Sequence, residues 1–91
     1  MFFGARSFNQ LIGDWDVSNV INMNNMFEGA QLFNQPIGDW DISNVKHMAS
    51  MFCFAKSFNQ QLNNWIIPRY TITTDMFANC PIKEQYKPKG I

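Results

Sequence analysis

Charged side chains are scarce in this chain, and those present balance. Only 15% of the residues are Asp, Glu, Lys or Arg, and seven basic residues face seven acidic ones. Nucleic acids and anionic membrane surfaces attract proteins with a clear basic excess. The sequence therefore predicts no nucleic-acid partner.

Long apolar runs are also missing. Asn, Gln, Asp and Gly interrupt every hydrophobic stretch well before the roughly 18–20 residues that a membrane-crossing helix needs. The first ten residues lack the basic start and apolar core of a secretory signal. We expect no membrane insertion, and we expect that the chain as written either stays inside the cell or is a piece of a longer protein.

Cysteine and histidine, two residue types that carry much protein chemistry, are rare. Cys53 and Cys80 form no CxxC pair and are too few for a disulfide framework, so we interpret them as small buried hydrophobic residues. His47 is the single histidine, and no nucleophile or carboxylate is spaced to make it a catalytic base. Phosphate-binding glycine loops, HExxH pairs and serine elbows are absent from the sequence. We predict no enzyme activity, no catalytic residue, no metal ligand and no cofactor.

What the sequence does contain is an internal repeat of 25 residues. Trp15, Trp40 and Trp65 mark its period, and sixteen of the twenty-five positions in residues 1–25 are identical in residues 26–50. Residues 51–75 keep eight of the second unit's residues, and similarity fades beyond them, as expected where a repeat array is capped. We predict a single domain over residues 1–80, with units at 1–25, 26–50 and 51–75, a partial unit at 76–80 and a tail at 81–91.

Each unit shows two hydrophobic patterns in succession. Alternation around the tryptophans predicts short strands near 14–18, 39–43 and 64–67. The apolar series Val20, Met23 and Met26, which recurs in the next unit, has helical spacing, with Ser18 placed as an N-cap and Gly29 as a left-handed C-cap. The predicted fold is an α/β repeat, a short leucine-rich-repeat-like solenoid with one short strand and one short helix per unit.

Stacking of such units would align each residue with its copies. We predict that these columns hold the structure together, because one unit alone cannot bury its apolar face. The columns comprise two aromatic ladders and one ladder of side-chain amides: Phe8, Phe33 and Phe58; Trp15, Trp40 and Trp65; and Asn9, Asn34 and Asn59.

The unit Met-Phe-x-Gly-Ala-x-x-Phe-Asn-Gln-x-Ile-Gly-Asp-Trp-Asp-Val/Ile-Ser-Asn-Val-x-x-Met resembles those of the BspA-like leucine-rich-repeat surface proteins. The resemblance runs almost continuously over residues 1–67. It implies a right-handed solenoid, displayed on the cell surface for adhesion in the longer members of that family.

Four aspartates form the most distinctive polar set, namely Asp14, Asp16, Asp39 and Asp41. Stacking would place Asp14 beside Asp39 and Asp16 beside Asp41. They are a candidate partner-binding face, although a structural role in accepting turn N–H groups or a Ca²⁺ site would use the same residues. Glycoside hydrolysis also needs paired carboxylates, but it requires a shaped pocket as well.

The leading functional hypothesis is a non-enzymatic interaction or adhesion module that binds a protein or glycan. The alternative is a structural C-terminal cap or remnant of a longer array, and a small hydrolase is a third hypothesis. The first unit is also expected to self-associate, most simply as a symmetric dimer. Repeat scaffolds diversify at exposed positions, which here are Arg6/Gln31/Lys56, Ile21/Lys46/Thr71 and Asn22/His47/Ile72.

Overall fold

The computed structural model describes residues 2–89, and reverse turns are the commonest backbone structure among them. The regular elements of that range are one 3₁₀ helix, Glu84–Tyr86, and three isolated parallel bridges. The chain folds into a compact body with extents of 31 × 25 × 19 Å. The bridges pair Asn22 with His47, His47 with Ile72, and Ile66 with Lys89.

The predicted α/β leucine-rich-repeat-like solenoid is therefore wrong, because neither its strands nor its helices form. Where a strand was expected near 14–18, two turns follow each other, closed by Trp15 N–H to Ile12 O at 3.0 Å and Val20 N–H to Val17 O at 2.9 Å. The same pair of turns replaces the strand expected near 39–43, and a turn closed by Trp65 N–H to Leu62 O at 2.9 Å takes up the start of the third segment, 64–67. No sheet joins these segments within residues 2–89.

The expected helix fails for a local reason. Met26 N–H donates to Met23 O at 3.2 Å, a bond of turn spacing and not of α-helical spacing. Asn25 has a φ of +60°, which no residue of a right-handed helix adopts. An apolar residue at every third position fits consecutive tight turns as well as a helix, so the spacing was ambiguous.

Backbone N–H and C=O groups, which helices or sheets would otherwise pair, form hydrogen bonds between consecutive units. Amides of one unit donate to carbonyls 24 residues further along, as in Phe2 to Met26 at 2.8 Å and Phe27 to Met51 at 2.8 Å. The same register is repeated by Phe52 and Met76 at 2.9 Å. Buried peptide groups must find partners, and these bonds supply them without a continuous sheet.

Aromatic side chains fill the centre of the molecule. Phe27 and Phe33 stack with ring centroids 4.0 Å apart, and Phe52 and Phe58 repeat the contact at 4.3 Å. All four are fully buried, and the rings of successive units lie 5.5–5.7 Å apart. Such stacked pairs stabilise a core beyond the burial of their apolar area.

Left-handed backbone recurs at a fixed position of each unit. Gly4, Gly29, Phe54 and Asn79 all have φ between 56° and 72°. Gly29 is left-handed, as its predicted capping role required, but it belongs to a turn closed by Ala30 N–H to Phe27 O and not to the end of a helix. The turn sets this geometry whatever residue occupies the position.

Residues 81–89 pack against the third unit. Ile82 is 6% exposed, Lys83 N–H donates to Asn59 Oδ1 at 3.0 Å, and Leu62 N–H donates to Tyr86 O at 2.8 Å. The division between a domain ending at residue 80 and a separate tail remains a prediction.

Candidate partner-binding face

Two of the four candidate aspartates organise turns. The Ser18 amide and hydroxyl both donate to Asp16 Oδ1, at 3.0 and 2.6 Å, and Ser43 makes the same two bonds to Asp41. The serine hydroxyl, followed by the serine amide, lowers the pKa of each carboxyl, while the nearby charge of Asp16 opposes the shift at Asp41. Ser18 therefore closes a turn with an aspartate where the sequence predicted an N-cap.

Asp14 and Asp39 are exposed, and their carboxylates accept no hydrogen bond within residues 2–89. Asp39 borders a shallow polar groove of about 320 Å³ whose other walls include Gln61, Asn64 and Tyr86. Across the described part of the chain, no three His, Cys, Asp or Glu side chains come together as metal ligands would.

The asparagine column links successive units. Asn9 Oδ1 accepts from the Asn34 amide at 2.9 Å, and Asn34 Oδ1 accepts from the Asn59 amide at 2.9 Å. Gln35 and Gln60 add side-chain bonds to the same asparagines. The side-chain oxygens of these asparagines accept hydrogen bonds from the chain itself, so their acceptor capacity is used within the protein.

The tryptophan column differs between its members. Trp40 and Trp65 are buried, and their indole nitrogens donate to Ile12 O and Ile37 O at 3.1 Å. Trp15 is 44% exposed. In the phenylalanine column, the rings at positions 8, 33 and 58 lie 5.7–5.8 Å from their neighbours.

Several residues that vary between the repeat units lie together on the surface where two β-bridges through His47 connect the three units. We define the bridge face as Ile21, Asn22, Lys46, His47, Tyr70 and Ile72. An open groove of about 550 Å³ runs over it, lined by Lys46, His47, Tyr70 and Ile72. Ile21, Tyr70 and Ile72 are each about half exposed or more, so the face is apolar with two basic side chains in its middle.

Sequence comparison with known proteins adds the family. Residues 1–88 match the model of a family described as Mycoplasma protein of unknown function, DUF285. The chain belongs to this family. No curated protein and no solved structure matches it.

Sequence reasoning about this DUF285 domain identified the variable positions but overlooked Tyr70. Its counterparts are Val20 and Val45, and Val45 is fully buried, whereas Tyr70 is 58% exposed. A large aromatic residue replacing a valine of the repeat was the available signal. Tyr70 keeps a link to the second unit, because its hydroxyl donates to Ser43 O at 3.3 Å.

The two thiols of the DUF285 domain are free and poorly placed for chemistry. Cys53 is 8% exposed and Cys80 is partly buried. Burial is the main cause that raises the pKa of both thiols, and thiols are nucleophilic only when deprotonated.

Among residues 2–89, no helix is both long and apolar enough to span a bilayer.

Proposed function

We propose that this chain is a non-enzymatic binding module of BspA-like type that contacts a protein partner through the bridge face. The observation that carries the proposal is the exposure of Tyr70, at 58%, and Ile72, at 49%, beside Lys46 and His47 in one groove. Protein interfaces are typically built around aromatic and apolar anchors accompanied by a few polar groups.

The backbone beneath these side chains is fixed. Lys46 N–H donates to Ile21 O at 2.7 Å, and Ile72 N–H donates to Lys46 O at 3.0 Å. A rigid frame with varied side chains lowers the entropy lost on binding, because the contact residues need not be ordered first. It also lets the face change in sequence without disturbing the buried columns.

The acidic residues are a weaker basis for the contact face. Asp16 and Asp41 already accept hydrogen bonds from their turns, which favours a structural role for them. A glycan ligand, the other partner expected for an adhesive module, is the competing outcome of the binding test.

The test compares the chain with variants that borrow residues from its own repeat. Tyr70→Val and Ile72→Asn each introduce the residue found at the same position of the first unit, so the fold should persist. Asp14→Asn is the matched control, since the third unit carries Asn64 there, outside the bridge face. Each protein is applied to arrays of immobilised extracellular proteins and of glycans.

We expect saturable binding to a protein, weakened about ten-fold or more in the Tyr70→Val, Ile72→Asn double variant and unchanged in Asp14→Asn. Equal binding by the double variant, or binding to glycans alone, would contradict the proposal.

A further inference from the structure

The contact between consecutive units has a direction. Its side-chain donors point from the second unit to the first, whereas backbone amides donate both ways, as in Phe2 N–H to Met26 O and Lys46 N–H to Ile21 O. Trp40 Nε1 donates to Ile12 O at 3.1 Å, and Asn44 Nδ2 donates to Ser18 O at 2.8 Å. Between the third and second units, the indole of Trp65 makes the same type of bond to Ile37 O.

The first unit has the same donors, but they meet no acceptor. Within residues 2–89, the indole N–H of Trp15, the side-chain amide of Asn19 and the backbone N–H of Ile21 form no hydrogen bond. The same holds for the backbone N–H of Asn9 and the side-chain amide of Gln10. The corresponding groups of the second unit are all bonded to the first: Asn34, Gln35, Trp40, Asn44 and Lys46.

A groove lies beside these unbonded donors. We call the surface around Trp15 and Val20 the end face; its groove has a volume of about 430 Å³, and the buried side chains of Val17, Met23 and Met26 lie at its base. Trp15 is 44% exposed there, whereas Trp40 is 5% and Trp65 is 2% exposed. A surface that combines exposed apolar area with aligned donors is suited to binding a partner.

We propose that the end face is a docking surface for one further 25-residue unit of this same pattern. The occupant must place carbonyl oxygens where Ile12, Ser18 and Ile21 place theirs against the second unit. It must also supply an asparagine Oδ1 in the position of Asn9. A segment with the sequence pattern of residues 8–21 has all four acceptors at the required spacing. The two interfaces within the chain are the templates for this one.

A second copy of the chain fits less well. Two end faces brought together symmetrically would not place these carbonyls against Trp15, because those of Ile12, Ser18 and Ile21 already accept hydrogen bonds from the second unit. The acceptor side of the third unit is already covered, because Asn59 Oδ1 accepts from Lys83 N–H at 3.0 Å. An approach from head to tail would therefore have to displace residues 81–89.

The experiment measures hydrogen exchange of the three tryptophan indole N–H groups by ¹⁵N NMR. It is performed on the chain itself and on an extended chain in which residues 1–25 are duplicated in tandem before Met1. In the extended chain, we expect exchange of the Trp15 indole to slow about ten-fold or more, toward the rates of Trp40 and Trp65. An extended chain carrying a scrambled version of the added unit is the control and should leave Trp15 exchange unchanged.

Protection of Trp40 and Trp65 in the same spectrum shows whether the extended protein is folded. If they are protected and Trp15 still exchanges at its original rate, the proposal is overturned. The original chain is also measured across a wide concentration range. Protection of Trp15 that rises with its own concentration would identify a second copy as the occupant and would equally overturn the proposal. Addition of a synthetic peptide of residues 1–25 should slow Trp15 exchange without any change to the chain.

Discussion

At the scale of single residues, the same side chain has different roles according to its unit. Trp40 is buried against the first unit with its indole bonded to Ile12 O, while Trp15 leaves almost half of its surface in water. Asp16 and Asp41 hold serine groups of their own turns, whereas Asp39 borders an open groove. The contribution of a side chain to stability therefore depends on which unit it belongs to, and not on its residue type alone.

The tryptophans provide the first prediction. Trp40→Ala should lower the free energy of unfolding by about 3–5 kcal/mol, because it removes a fully packed aromatic side chain and leaves the Ile12 carbonyl without its donor. Trp15→Ala should cost about 1–2 kcal/mol, since that ring is partly exposed already. Urea unfolding followed by circular dichroism measures both values, and equal losses would contradict the buried column as the main source of stability.

The turn aspartates provide a pH-dependent prediction. Their pKa values are lowered on folding from about 3.8, so their contribution to stability is present above that pH and is lost as the pH falls through the lower, folded value. Replacing both with asparagine should therefore reduce the drop in Tm between pH 5 and pH 2.

Ser18→Ala with Ser43→Ala is the companion variant, because the serine hydroxyls are the largest cause of the lowered pKa values. It should reduce the same drop in Tm while leaving both carboxyls in place. A pH profile unaltered by either pair of substitutions would argue against the turn role of these aspartates.

At the scale of elements, the recurring feature is the reverse turn. The 25-residue period, and with it the set of aligned positions, could be read from the sequence because identical residues recur at equal spacing. The type of local structure could not be read from the sequence, because the series Val20, Met23 and Met26 fits turns as well as a helix. The backbone of Asn25 is left-handed, a conformation that asparagine tolerates but that the presence of asparagine does not by itself predict.

The candidate site shows the same division between what could and could not be predicted. The variable positions around His47 were recognisable by comparing units, because substitution at one position of a repeat is visible without a structure. These positions lie in one groove with Tyr70 because backbone hydrogen bonds connect the units, such as the bond from Lys46 N–H to Ile21 O. Local propensity carries no information about bonds between residues so far apart in the chain.

The left-handed turn position gives a prediction of increased stability. Phe54 occupies it with a φ of +59°, while the first two units have Gly4 and Gly29. Phe54→Gly should raise the unfolding free energy by about 0.5–1 kcal/mol, the relief of left-handed strain less the greater chain entropy of glycine. Gly29→Ala should lower it by about 1–2 kcal/mol. Thermal unfolding of the two variants would show shifts of opposite sign, and a destabilised Phe54→Gly would show that contacts of the ring outweigh backbone strain.

A second kind of glycine is needed for close approach between units. A Cβ at Gly13 would lie 2.6 Å from Pro36 O, and one at Gly38 would lie 2.5 Å from Gln61 O. Either substitution by alanine should push neighbouring units apart, at a cost of about 1–3 kcal/mol. Urea unfolding would measure this cost, and a loss below about 0.5 kcal/mol at both positions would show that the units have more freedom than their spacing suggests.

At the scale of the whole molecule, bonds between units replace those of regular secondary structure. A domain of this size has little stability to spare, because it buries a smaller share of its surface than a larger protein does. Each end of the body therefore matters. Residues 81–89 cover one end through Ile82, the Leu62 to Tyr86 bond and the bridge from Ile66 to Lys89.

Two isoleucines near that end differ in burial, so they allow the contribution of a packed side chain to be compared with that of an exposed one. Ile82 is 6% exposed and Ile66 is 85% exposed, although both belong to the contact between the third unit and residues 81–89. Ile82→Ala should lower the unfolding free energy by about 2–4 kcal/mol, and Ile66→Ala by less than about 0.5 kcal/mol. Removing residues 81–91 should cost at least as much as Ile82→Ala, which in a domain of this size lowers Tm by roughly 10–25 °C. A truncated chain that melts at the original temperature would show that the domain ends at residue 80, and that the contacts of Ile82 and Tyr86 add nothing to the fold.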